Sequence, residues 1–424
     1  METLLLYLLI FGVFFAVGTP IALSLSVSAI ALLLLNGIDL MVFASKFMTS
    51  MDNYTLTAMF FFILAGEIMN RGGMTNRIVS VVSRRLGKVP GGLAIVSLAS
   101  CALFAAINGS AIATMVAIGA ILYPAMVKEG YPPAFAAAVL AAGGVVGPII
   151  PPSIPMILYG SITGDSIAAL FAGGVGLGIL IVLGEIVLVS VICKKRGYGR
   201  NGSTTDFGSS KGAIWALLFP VLMFGAIVSG AMTATETSAL AVLYAWAIGT
   251  FVYKEFRWRE MPAACVNSMK NSGSVMAIVG AATAVAFVLT FRRVPQEVAQ
   301  ALVQGISSPL LFMLATFGIL IVVGMIMDLT PAILILSPIF MAPVASFGID
   351  SVYFGVFFCA VLTTGLITPP VGTLIYLGCN MSGAKLSAVV RELFPQMIVI
   401  FPLLAVSIIF PQVITFVPKL LGLY

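Results

Sequence analysis

The chain has 424 residues, 61% of them hydrophobic and 8% charged, with mean hydropathy +1.16 and a formal net charge of +6. A water-soluble domain carries about 25% charged residues, so this composition excludes a soluble enzyme and a nucleic-acid-binding domain and describes a polytopic membrane protein whose basic residues set topology and lipid contact. The chain has no histidine, and its five cysteines (Cys101, Cys193, Cys265, Cys359, Cys379) form no C-x-x-C pair, which removes the commonest metal ligand and any zinc or disulfide framework.

At roughly 20 residues per span there is room for about eleven crossings plus hairpins. Met1-Glu2 brings no basic n-region and no cleavage site, so the run 4–35 reads as a retained first helix, bent at Gly18-Thr19-Pro20. A second span covers 54–69 and ends at Asn70-Arg71-Gly72-Gly73. Residues 74–86 set Arg77, Arg84 and Arg85 among Ile78, Val79, Val81 and Val82. That stretch is too short to cross and suits an amphipathic helix at the interface. An apolar run from Pro90 to Val127 is interrupted at Asn108-Gly109-Ser110. Arms this short fit a re-entrant hairpin with its tip at 108–110.

The run 131–161 contains Gly147-Pro148-Ile149-Ile150-Pro151-Pro152-Ser153. Proline lacks an N–H and clashes with the preceding turn, so the helix opens there. Open backbone at membrane depth is tolerated only when buried in protein or lining a polar cavity. Gly164-Asp165-Ser166 makes a turn, and 167–192 makes a further span. The loop 194–211, starting Lys194-Lys195-Arg196, is the most basic stretch and is cytoplasmic by the positive-inside rule. Spans at 213–232 and 239–253 follow, joined through 233–238. The basic segment 254–259 again reads as cytoplasmic, and 273–291 crosses back. Residues 295–306 form a second short amphipathic stretch. A second hairpin-like run, 308–345, is interrupted at Met327-Asp328-Leu329-Thr330-Pro331. A second broken helix, 352–377, opens at Gly365-Leu366-Ile367-Thr368-Pro369-Pro370-Val371. After a short stretch holding Lys385, Arg391 and Glu392, a last span covers 393–417.

The two breaks register without a gap at an offset of 218. Gly147, Ile149, Pro151, Pro152, Ile157 and Gly160 meet Gly365, Ile367, Pro369, Pro370, Ile375 and Gly378. Paired, proline-interrupted segments in two halves point to the binding site of a secondary transporter. Counting crossings from the cytoplasmic loop 194–211 puts the mouth of the first hairpin inside and that of the second outside, with 213–232 as the extra linking span. The fold class expected is therefore all-α and polytopic, with inverted repeats, two re-entrant hairpins and two broken helices. Arg292 and Arg293 fall outside, against the positive-inside rule.

Embedded acids are costly and usually functional; Glu67, Glu185, Glu236 and Asp328 are the candidates. Glu67 lies four residues from Arg71, the spacing of a local ion pair, and Glu185 faces no evident partner. A first cation site is expected from Asn108, Ser110, Gly147, Ile149 and Pro151. A second is expected from Asp328, Thr364, Gly365, Thr368 and Pro369. Side-chain oxygens and carbonyls freed from a helix are hard ligands that suit Na⁺. Capping a broken helix uses the same atoms, so for Asn108, Ser110 and Thr368 both roles stand. The half-helices starting after each break, at Ser153 and at Val371-Gly372, point N-terminal dipoles inward and favour an anion there. Cation sites beside anion-attracting helix ends describe a sodium–anion symporter. Proton coupling through Asp328 or Glu236 is the near alternative. An intramembrane aspartyl protease built on Asp165 and Asp328 is a distant one, since Ile162 breaks the G-x-G-D spacing.

The sequence from Gly147 to Ser153, the Asn108-Gly109-Ser110 tip and Gly365 to Gly372 resemble the large membrane subunit of TRAP (tripartite ATP-independent periplasmic) transporters. Residues 230–236 resemble a further motif of that subunit, with Ala234 where many members carry proline. The resemblance covers essentially the whole chain. It implies a bacterial inner-membrane, sodium-driven importer of organic anions such as sialic acid or C4-dicarboxylates. It also implies an elevator-type ion-transporter fold, with a separate small membrane subunit and a periplasmic substrate-binding protein as partners. The corresponding division is 1–86 scaffold helices and first arm, 87–193 first transport half, 194–211 cytoplasmic loop, 212–306 scaffold helices and second arm, 307–392 second transport half, and 393–424 C-terminal helix. No organic cofactor is expected.

Overall fold

Hydrocarbon offers the backbone no hydrogen-bond partner, so an apolar chain of this kind satisfies its own amides by coiling into helices. The computed structural model is described for residues 2–423 apart from 201, 204, 209 and 307; Met1, part of the retained-helix expectation, lies outside the described residues. Among the described residues there are twenty α-helices and no strand.

The N-terminal run is two helices, α1 (Glu2–Ala16) and α2 (Ile21–Leu35), because Gly18 takes φ +85° and Pro20 follows it. Sequence reading passed over α3 (Met41–Met51), whose polar residues hide a helix that packs on the later α13. Then come α4 (Tyr54–Arg71), capped by Asn53, and the amphipathic α5 (Met74–Leu86). The first hairpin is α6 (Gly92–Asn108) and α7 (Ala111–Lys128); the first broken helix is α8 (Pro133–Val145) and α9 (Ile154–Thr163). The long α10 (Ile167–Arg196) leads to α11 (Ala213–Val228) and α12 (Ala234–Ala247).

Helix α13 (Met261–Phe291) is 31 residues long and begins well before the predicted 273. Asn267, Lys270 and Asn271 depress the hydropathy of its first turns without interrupting the helix. Next are α14 (Val294–Gly305), the second hairpin α15 (Pro309–Ile326) and α16 (Leu329–Ser346), and the second broken helix α17 (Ser351–Gly365) and α18 (Thr373–Ser382). The expected last span is broken. Helix α19 (Leu386–Ile409) absorbs the short charged stretch, and Pro411 starts a separate α20 (Gln412–Leu420).

The 218-residue offset extends beyond the proline motifs. It maps α7 onto 329–346, the bounds of α16, and α6 onto 310–326, one residue short of α15. The same offset carries α2 onto 239–253, which overlaps α12. The half-helices α8 and α17, apolar on every side, are buried from Phe135 to Val145 and from Tyr353 to Gly365, as all-round apolar helices must be. They form the centre on which both hairpins rest.

The predicted cytoplasmic segments meet at one end. Arg77 of α5 pairs with Glu255 at 2.8 Å and lies over the Tyr253 ring at 3.8 Å. Ser80 and Arg84 donate to the Gly208 carbonyl, and the hydroxyls of Ser203 and Thr205 donate to Glu129 at the foot of the first hairpin. The loop 194–211 thus straps α5 to the hairpin mouth. All five cysteines are free, and Cys101, Cys193 and Cys359 are buried.

Candidate functional site between the hairpin tips

The first tip is held by its own side chains. Asn108 Oδ1 accepts the Ser110 N–H at 2.8 Å and the Thr114 hydroxyl at 3.2 Å, while its Nδ2 is buried and unpartnered. Ser110 caps α7 by accepting the Ala113 N–H at 3.4 Å. The tip lies directly on the first break. A Cβ on Gly147 would stand 2.7 Å from the Ser110 carbonyl oxygen, and one on Gly109 (φ +63°) would collide with the Pro152 carbonyl. Glycine at both positions lets two opened backbones touch. Asn108, Ser110 and Gly147 are thereby brought together. Ile149 and Pro151 are not: the Ile149 carbonyl lies against Gly174 of α10, and neither residue lines the cavity described below.

The second hairpin meets its break differently. A Cβ on Gly365 would collide with Gly324 of α15, so two glycines, not the tip, make the contact. Asp328 occupies the N-cap position of α16, yet its carboxylate makes no capping hydrogen bond. Thr364 donates its hydroxyl to the Val361 carbonyl at 2.7 Å and Thr368 to the Thr364 carbonyl at 2.8 Å, so both oxygens keep lone pairs for another partner. Of this set only Asp328 lines the cavity; Leu366 does so in place of Thr364, Gly365, Thr368 and Pro369.

That cavity, about 480 Å³, lies between the two tips and a wall made by α4 and α13. Its charged lining residues are Glu67 and Asp328, with no lysine or arginine. Glu67 pairs with Arg71 at 2.7 Å, the expected bridge, and also accepts from Asn267 Nδ2 at 3.3 Å. None of Ser153, Val371 and Gly372 lines the cavity. Ser153 is fully buried; it donates to the Pro148 carbonyl and accepts the Met156 N–H at 3.3 Å. The wall beside it is Pro148, Ile154 and Pro155.

Sequence reasoning missed the polar part of the far wall, Asn70 of α4 with Asn271 and Ser274 of α13. The signal was present: Asn267, Asn271 and Ser274 recur at helical spacing, one polar stripe on an apolar helix. A helix predicted from 273 leaves Asn267 and Asn271 outside it, whereas α13 starts at Met261.

Residues 8–413 match the family model described as "Tripartite ATP-independent periplasmic transporter, DctM component". The chain belongs to this family. It is a TRAP-transporter permease and not an enzyme. This DctM chain is 36% identical over 403 residues to the 2,3-diketo-L-gulonate TRAP transporter large permease protein of Escherichia coli K12, covering 94% of this chain and 95% of that one. It is 35% identical over 398 residues to the C4-dicarboxylate TRAP transporter large permease protein of Pseudomonas aeruginosa, covering 93% of each. Its fold is similar to the crystal structure of the YdaH transporter of Alcanivorax borkumensis, with TM-score 0.64, 13% identity and 86% of each chain covered.

Glu236 is not embedded: it is exposed and closes a capping box with Thr233 at the start of α12. Asp165 accepts the Ser351 hydroxyl at 2.5 Å and the Thr163 hydroxyl at 2.8 Å and does not line the cavity, so no carboxylate pair forms with Asp328. Glu185, midway along α10, is fully buried, and neither carboxylate oxygen has a partner among the described residues. Arg292 and Arg293 line a separate cavity of about 440 Å³ together with Glu2, at the far end of α13 from the basic loops.

Proposed function

We propose that this TRAP permease is a sodium-coupled importer of an organic anion across the bacterial inner membrane. The observation that carries the reading is the charge of the central cavity. Its lining has two carboxylates and no basic side chain, so an organic anion that enters meets no fixed positive charge. Its charge is balanced by cations bound beside it. Asp328, Ser110 and the hydroxyls of Thr364 and Thr368, with carbonyls freed at the breaks, supply the hard oxygens that a small cation needs. That relatives are named for a keto sugar acid and for C4-dicarboxylates supports the anion class. The sialic acid class remains in the same range.

In this reading 87–193 and 307–392 move as the transport body against the scaffold 1–86 and 212–306, as an elevator. The cavity lies where Glu67, Asn70 and Arg71 end α4, beside the basic loops, which supports a cytoplasm-facing state. A periplasmic binding protein delivers the anion, and a small membrane subunit completes the transporter. Arg292 and Arg293 on the outer face receive the binding protein or the incoming anion. Reconstituted with both partners, the permease is expected to take up substrate along an imposed Na⁺ gradient and to lose uptake in Asp328→Ala. Uptake unchanged on replacing Na⁺ sinks the reading. Proton coupling is the second reading, and buried, unpartnered Glu185 is what favours it; comparing uptake after a pH jump and after a Na⁺ jump separates the two.

A further inference from the structure

Resting on the anion-transport reading above, we propose that the α4–α13 wall selects for an acid with one carboxylate and a neutral, hydroxylated remainder, and against a second carboxylate. The far wall of the cavity presents Asn70, Asn271 and Ser274. Asn70 Oδ1 is taken by the Thr75 hydroxyl at 3.1 Å, which leaves its amide N–H groups to offer. Ser274 donates to the Lys270 carbonyl at 3.0 Å and keeps its oxygen as an acceptor. Asn271 is exposed to the cavity and makes no hydrogen bond among the described residues, so both its donor and its acceptor are open. The wall therefore carries a mixed set of neutral donors and acceptors, the complement of hydroxyl and carbonyl groups.

The same wall is unsuited to a carboxylate. The charged group on it is Glu67, an acid. Arg71 and Lys270 are close in sequence, but neither lines the cavity, and Arg71 is held by Glu67 at 2.7 Å. A carboxylate at this end would lose hydration and meet no cation, a cost that neutral hydroxyl groups avoid. The end of the cavity beside Asp328 differs, because there a bound cation is available to the first carboxylate. A site built to hydrogen-bond a substrate's hydroxyls also rejects analogues that lack them, since its own polar groups are then left unpaired.

The test is a thermal-shift titration of the detergent-purified permease with its small subunit, in Na⁺ and without the binding protein, so that only the membrane site selects. The probes are D-gluconate and N-acetylneuraminate, each with one carboxylate and several hydroxyls, and succinate and fumarate, each with two carboxylates and none. The hydroxylated pair is expected to stabilise the complex at concentrations about tenfold lower, the size of one or two hydrogen bonds. Asn271→Ala and Ser274→Ala are each expected to shrink that ratio, and Asn271→Arg to reverse it by supplying a cation for the second carboxylate. Dicarboxylates binding as well as the hydroxylated acids, or a ratio unmoved by all three variants, overturns the proposal and leaves sodium–anion coupling standing. No sodium-dependent shift with any of the four acids overturns both.

Discussion

Ser110 and Asp328 hold the same place in the two halves: each is the N-cap residue of the second arm of its hairpin, 218 residues apart, and both face one cavity. They are used differently. Ser110 accepts one cap bond from α7 and keeps a second lone pair, whereas the Asp328 carboxylate makes no cap bond to α16. Ser110→Ala is therefore expected to lower thermal stability by about 1 kcal/mol, the cost of a lost cap, with a modest change in sodium dependence. Asp328→Asn is expected to leave the melting temperature nearly unchanged and to raise the Na⁺ concentration for half-maximal uptake at least tenfold or abolish coupling. Melting curves and sodium-dependent uptake on the two variants check the split.

The contacts between hairpins and breaks are backbone contacts. Gly147→Ala would place a Cβ 2.7 Å from the Ser110 carbonyl oxygen, and Gly365→Ala would drive one into Gly324. Each is expected to cost about 1–3 kcal/mol, as overpacking does, and to abolish uptake. Gly318→Ala, with nothing within 4 Å of the new methyl group, is the control. It is expected to be neutral or stabilising by about 0.5–1 kcal/mol, as alanine is in a helix. Uptake and melting of the three proteins decide the matter.

Among the described residues, neither oxygen of Glu185 has a hydrogen-bond partner, and the residue has no exposure. Nothing around it compensates a charge, so Glu185→Gln, the same shape without the acid, is expected to fold and to keep sodium-driven uptake within about twofold. Glu185→Lys, which forces an unpaired ammonium into the same place, is expected to fail to accumulate in the membrane. If Glu185→Gln instead abolishes uptake driven by a pH jump, the proton-coupled reading gains its carrier.

Arg77 is gripped from two sides, by Glu255 at 2.8 Å and by the Tyr253 ring at 3.8 Å. The planar guanidinium satisfies both, and lysine is not its equivalent at a stacked site. Arg77→Lys and Arg77→Ala are each expected to lower stability, the latter by about 1–2 kcal/mol. Loosening α5 from the 254–257 loop is also expected to slow uptake without changing its dependence on Na⁺, and initial rates across a sodium series measure this.

The chain alone determined what its local chemistry dictates. A helix carries a single proline, as α7 carries Pro124, but not an adjacent pair, so both breaks were legible, and short arms around Asn108-Gly109-Ser110 and around Asp328 gave both hairpins. Glu67 and Arg71 were paired by helical spacing alone. Distance along the chain did not show which oxygen points where. Tertiary packing turned the Ile149 carbonyl toward Gly174, buried Ser153 behind its own bonds to Pro148 and Met156, and set Asn70 and Asn271, from helices far apart in sequence, on one wall. A break in a helix is a property of three residues. The cavity it faces is a property of the two scaffold helices and two hairpins that close around it, and only the fold brings those together.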